Sequence, residues 1–204
     1  MRKMWNCAVP ALFLLLAIAA PAQTLSQADR DKAMKYLEST KQGVLDATKD
    51  LSPAQWNFKP APDRWSVAEV TEHIASAEDY IRGAITQKIM SSPARPAGED
   101  VAAIDEMVLK MIPDRSHKVQ APEPLKPTNR FGSPEAAVKH FVEARATTED
   151  FLIKTPGLRD HAADSEIFGK KMDAYEWVLF IAAHSERHTK QILEVKADPN
   201  FPKQ

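Results

Sequence analysis

Cysteine is all but missing from this chain: Cys7 is the single one among 204 residues. It stands in a stretch that reads as a leader, so the chain beyond residue 22 has no disulfide, no thiolate ligand and no cysteine nucleophile. Its stability must come from its core, and roughly 180 residues are enough to bury one. Glycine is scarce, at 6, and Val and Ile nowhere run in alternating strand-like blocks, which points to an all-α fold. Neither charge sign is in excess, since 27 Lys and Arg against 28 Asp and Glu leave a formal net charge of -1. Without a basic stripe, no nucleic-acid partner is expected.

The first stretch, MRKMWNCAVPALFLLLAIAAPAQ, has a positive start at Arg2 and Lys3, an apolar core from Ala8 to Ala20, and an A-x-A end at Ala20-Pro21-Ala22. That is the pattern of a secretory signal peptide, residues 1–22, cut after Ala22 and too short for a stable membrane span. The expectation is an exported protein, periplasmic or secreted, whose mature form is one domain over residues 23–204. An uncleaved N-terminal anchor is the competing reading. Cys7 lacks the run that precedes a lipid-anchored cysteine.

Proline is plentiful, at 15, but it clusters around 53–62, 93–96 and 113–134, as punctuation between helices. A first helix is expected over about Gln27–Lys49, with Met34, Leu37, Val44, Thr48 and Leu51 on one face. Ser52-Pro53 opens a short turn, and Trp56, Phe58 and Trp65 are placed as a plug at one end of the fold. Ser66-Val67-Ala68-Glu69 is a capping box that starts a second long helix running to about Ile89. A shorter helix should cover 99–112. Residues 113–133 have no periodicity and form either a crossover strap or a lid. Ser133-Pro134-Glu135 starts the third long helix, which Thr155-Pro156-Gly157 stops. Residues 158–171 read as a connection, the fourth long helix spans about Asp173–Lys196, and the tail beyond it reads as frayed. Four long amphipathic helices with one long crossover between the second and third make a four-helix bundle, in which the second and third can run parallel.

On the fourth helix Trp177, Val178, Ile181, Ile192 and Val195 recur at helical spacing, and the same stripe passes through His184 and His188. Imidazoles four residues apart point the same way, one turn above the other. His73 falls on the inward stripe of the second helix. Taken singly, each is readable as a core histidine with a hydrogen-bond partner; together they make a ligand set suited to zinc, nickel or another first-row divalent ion. His117 and His161 are placed in solvent, and His140 on the surface of the third helix. Glu69, Glu72, Glu186 and Tyr80 are weak candidates for a general base.

Trp65-Ser66-Val67-Ala68-Glu69 with His73-Ile74 after it, then His184-x-x-x-His188 followed by Gln191-Ile192, resembles the DinB-like (YfiT-type) family, over about Leu25 to Val195. The resemblance implies an up-down-down-up four-helix bundle with a divalent metal ion on His73, His184 and His188. It also implies a small-molecule substrate and a possible homodimer. For activity it implies either a hydrolase using metal-activated water or a thiol-dependent S-transferase or isomerase; a non-enzymatic metal-binding bundle is the third reading. An export signal favours hydrolysis, because a thiol kept reduced in the cytosol is scarce outside it.

Overall fold

The computed structural model describes residues 25–203, so the expected leader lies outside the described residues. Four long helices carry the fold: α1 (Gln27–Thr48), α3 (Val67–Gln87), α5 (Pro134–Lys154) and α6 (Ala174–Lys196). Two shorter ones, α2 (Pro53–Asn57) and α4 (Val101–Met111), sit in the connections. Among the described residues none of these helices is long and apolar enough to cross a membrane.

Local chemistry fixes the starts. Ser52, Ser66 and Ser133 each accept a hydrogen bond from the backbone three residues on, which satisfies an N–H the helix itself leaves free. Glu69 returns the favour to Ser66 N at 2.7 Å, completing the capping box. Pro134 occupies the first turn of α5, where a missing N–H costs nothing.

α6 packs against α1 and α3, and α5 against α3 and α1. Contacts between α1 and α6 climb together: the Tyr175 hydroxyl donates to Asp29 O, Tyr36 to Glu186, and Lys196 to Ala47 O. Between α3 and α5 they also climb together, from Asp79 with His140 to Arg82 with Ala144 O. α1 and α5 oppose each other, with Arg30 donating to Leu152 O while Arg145 reaches Leu37 and Thr40.

The buried apolar side chains fall into two clusters. One holds Leu37, Ile81, Ile85, Leu152, Tyr175 and Leu179; the other holds Val44, Trp56, Ile74, Phe141, Ile192 and Val195, with Phe58 and Trp65 packed against it. Between them runs a buried polar layer. Arg145 is wholly buried there and uses all five of its N–H groups: two on Glu78 at 2.8 and 2.9 Å, and the others on Leu37 O, Thr40 Oγ1 and Ser185 Oγ. One guanidinium therefore ties all four long helices together.

Three expectations need correcting. The 158–171 connection carries an antiparallel hairpin, β1 (Ala162–Ser165) and β2 (Lys170–Asp173), with Ala162 opposite Asp173 and Ser165 opposite Lys170. Strands of four residues are set by their pairing and leave no readable alternation. His161 is not solvated: it is half-buried, and its Nδ1 lies 2.6 Å from Ser92 O because the 93–95 segment bridges to it. The tail is docked, with the Phe201 ring edge-on to Phe58 at 5.6 Å and Pro202 O accepting from Gln55.

Candidate metal centre

α3 and α6 bring His73, His184 and His188 together. His73 Nε2 lies 3.2 Å from His184 Nε2, which lies 3.1 Å from His188 Nε2. The three candidate ligand atoms all fall within 4.8 Å of one another, and this is the metal-capable cluster found among the described residues. Two nitrogens held at about 2.05 Å from one tetrahedral zinc stand about 3.3 Å apart. The observed separations are close to that edge length, so the donor set fits a divalent ion.

The outer nitrogens of His73 and His188 are spoken for. Leu125 O sits 2.9 Å from His73 Nδ1, and a carbonyl can only accept, so the proton is on Nδ1 and the Nε2 lone pair is bare. Gln191 Oε1 does the same for His188 Nδ1 at 2.8 Å. Partners of this kind fix the tautomer and orientation of metal-binding imidazoles. Burial lowers the pKa of all three rings, and at His184 and His188 the neighbouring imidazoles push the same way. The rings are neutral at pH 7, the state a metal requires. Trp65 lies against His73 at 5.0 Å and Phe180 stacks on His184 at 6.0 Å and 15°, giving the cluster an apolar wall on two sides.

The other residues singled out from sequence stand elsewhere. Glu69 caps α3 and pairs with Lys59. Glu186 accepts from Tyr36 and Lys190 on the α1 side of α6. Tyr80 is half exposed, at 50%. His117 is exposed, and His140 sits 2.6 Å from Asp79 on the surface. Glu72 is buried and holds the 113–133 segment: its carboxylate accepts from the backbone N–H of Thr128 and Asn129 at 2.7 and 2.8 Å, and from Arg130. Burial would raise its pKa, but those hydrogen bonds outweigh it and the pKa falls.

Sequence reasoning missed Leu125, Gln191 and Arg115 as parts of the site. Gln191 had a signal, lying three residues beyond His188 on the same helical face. Leu125 offers only its backbone, which no side-chain pattern reveals. The segment that carries Leu125 and Arg115 is fastened behind the ligands. Arg187 donates to the carbonyls of Ile112, Asp114 and His117, and Arg115 pairs with Glu194 through two bonds of 2.6 and 2.7 Å.

Comparison with known proteins agrees with this picture. A family model described as the DinB superfamily matches residues 36–192. The Bacillus subtilis (strain 168) protein named Uncharacterized protein YuaE is 25% identical over 150 residues, covering 72% of this chain and 87% of its own. The solved structure of YfiT from Bacillus subtilis superposes with a TM-score of 0.54 at 15% identity, over 90% of this chain and 95% of that one. YfiT is described as a probable metal-dependent hydrolase with an unusual four-helix bundle topology. At that identity the likeness is one of fold.

Proposed function

Since this chain belongs to the DinB superfamily, we propose that it is a metal-dependent hydrolase in which His73, His184 and His188 hold a divalent ion, zinc or nickel. The observation that carries this reading is the approach of three ring nitrogens at 3.1 and 3.2 Å. The Nε2 lone pairs of His73 and His188 both face His184 Nε2, an approach favoured when a cation or a proton lies between the nitrogens. The description of YfiT as a probable metal-dependent hydrolase points the same way.

A divalent ion held by His73, His184 and His188 would supply Lewis acidity toward a substrate oxygen and would make water more acidic. The chain's own contribution is to keep the three rings neutral and to turn His73 and His188 through Leu125 O and Gln191. Trp65 and Phe180 keep water from the sides of His73 and His184. Glu69, Glu72 and Glu186 are each committed to other partners, so none of them is assigned as a general base.

We read the helix order as up-down-down-up, supported by the contacts that climb together along α1 with α6 and along α3 with α5. We place the working protein outside the cytoplasm as residues 23–204, on the strength of the Arg2-Lys3 start and the Ala20-Pro21-Ala22 end. N-terminal sequencing of the exported fraction should begin at Gln23; a chain still starting at Met1 there would contradict the cleavage.

The functional test is metal content together with turnover of a panel of simple esters, amides and phosphoesters, before and after chelation. The purified protein should carry about one ion per chain, and His73→Ala, His184→Ala and His188→Ala should each lose it along with hydrolysis. Equal metal in the parent and all three variants would overturn the site. Turnover that appears only with an added low-molecular-weight thiol would replace hydrolysis by group transfer.

A further inference from the structure

Resting on the metal reading above, we infer that the proline-rich strap sets the proton positions of two of the three ligands, and that Arg115 is a positioning residue for His188. The argument turns on a difference between the two Nδ1 partners. At His73 the partner is Leu125 O, a backbone carbonyl at 2.9 Å that has no donor face. At His188 the partner is the side-chain amide of Gln191, which can present either its oxygen or its NH2 to the ring.

The choice decides whether His188 can bind metal. With the amide oxygen toward the ring, Nδ1 carries the proton and Nε2 is free. With the NH2 toward the ring, Nδ1 must accept, the proton moves to Nε2, and the lone pair that faces His184 is lost. Arg115 breaks the tie. Its Nη1 lies 3.4 Å from Gln191 Oε1 and can only donate, so the oxygen must stay on the side that His188 also uses.

Arg115, a residue of the strap, is itself held by α6. Glu194 grips its guanidinium through Nε and Nη2 at 2.6 and 2.7 Å. On one side Arg187 holds the carbonyls of Ile112, Asp114 and His117; on the other Glu72 holds the N–H groups of Thr128, Asn129 and Arg130. The segment is therefore clamped on both sides of Leu125. It serves the ligands from behind.

The experiment uses the purified protein, with zinc affinity read by competition against a chromophoric chelator and the His188 tautomer read by nitrogen-15 NMR without metal. Arg115→Ala should weaken zinc binding by about 10–100-fold and move the His188 proton toward Nε2. Gln191→Glu puts a carboxylate, which has no donor face, against the ring. In that background Arg115→Ala should leave the tautomer unchanged and the affinity within about threefold. Glu194→Gln, which loosens the grip on Arg115 along with the longer contact to Arg64 at 3.8 Å, should fall between the parent and Arg115→Ala.

An equal loss on Arg115→Ala in both backgrounds would make Arg115 a structural anchor only, and would overturn the inference. So would an Arg115→Ala protein with parental affinity and tautomer. A parent that binds zinc no better than His184→Ala would instead overturn the metal reading, and the metal-free tautomer measurement would still decide the role of Arg115.

Discussion

Arg145 shows what a single residue does in this fold. A buried ion pair is costly to form, because both charges leave water, and its attraction repays that only when every donor finds a partner. Arg145 meets the condition: Glu78 takes two bonds, and Leu37 O, Thr40 and Ser185 take the rest. Removing one partner leaves a bare charge in the core. Arg145→Met should therefore destabilise the protein by about 3–5 kcal/mol, a fall of about 10 °C in melting temperature for a chain this size. Glu78→Leu combined with Arg145→Met should recover most of the loss, because apolar groups replace both charges. Thermal denaturation of the two variants checks this; a single variant as stable as the parent would show that the stranded Glu78 charge carries no penalty. The pair was hidden in the sequence for a physical reason. Glu78 and Arg145 sit on the inward stripes beside Ile74, Ile81, Phe141 and Thr148, but an isolated charge on such a stripe reads as a flank residue until its partner on another helix is known.

At the scale of the element, the start of α6 is an electrostatic knot. Asp173 and Glu176 form its capping box and are fully buried. Arg95 and Arg159 converge on both carboxylates, and Arg159 also pairs with Asp105 on α4 at 2.6 Å. Burial, with the Asp173 charge added, pushes Glu176 up to about 7. A carboxyl whose pKa is higher folded than unfolded stabilises the protein below its unfolded pKa, near 4.5, and loses that contribution as pH rises to about 7. Glu176→Gln removes the titration. Between pH 5 and pH 7.5 the stability difference should move in favour of Glu176→Gln by roughly 1–3 kcal/mol. Chemical denaturation at the two pH values measures it, and an unchanged difference would place the Glu176 pKa back in the ordinary carboxylate range.

The elements also divide by how far the sequence revealed them. Ser52-Pro53, Ser66 with Glu69 and Ser133-Pro134 announced α2, α3 and α5, because a cap is chemistry among residues three apart. The hairpin at 162–173 escaped because pairing across a turn, not composition, makes its strands. In the sequence 113–133 reads as a crossover strap or a lid, while its role lies in Leu125 O and Glu72, contacts made across more than fifty positions of sequence. The histidines were legible since His184 and His188 lie one turn apart on an apolar stripe and His73 lies on another.

For the whole molecule, the bundle and the metal centre should be thermodynamically linked. α3 and α6 supply the three imidazoles, and the polar layer that joins all four long helices includes Ser185, next to His184. An ion bound only by the folded state adds stability by mass action, about 2.7 kcal/mol at a free concentration one hundred times its Kd. The melting temperature should rise with added zinc and fall with a chelator, whereas His184→Ala should respond to neither. Indifference of the parent protein to both would separate the fold from the ion.

The most direct test of the central claim is the X-ray absorption spectrum of the zinc-loaded protein. The account predicts one ion per chain with three imidazole nitrogens at about 2.0–2.1 Å and the scattering pattern of the outer ring atoms, lost in His188→Ala. A first sphere of oxygens alone, or a spectrum that His188→Ala leaves unchanged, would contradict it.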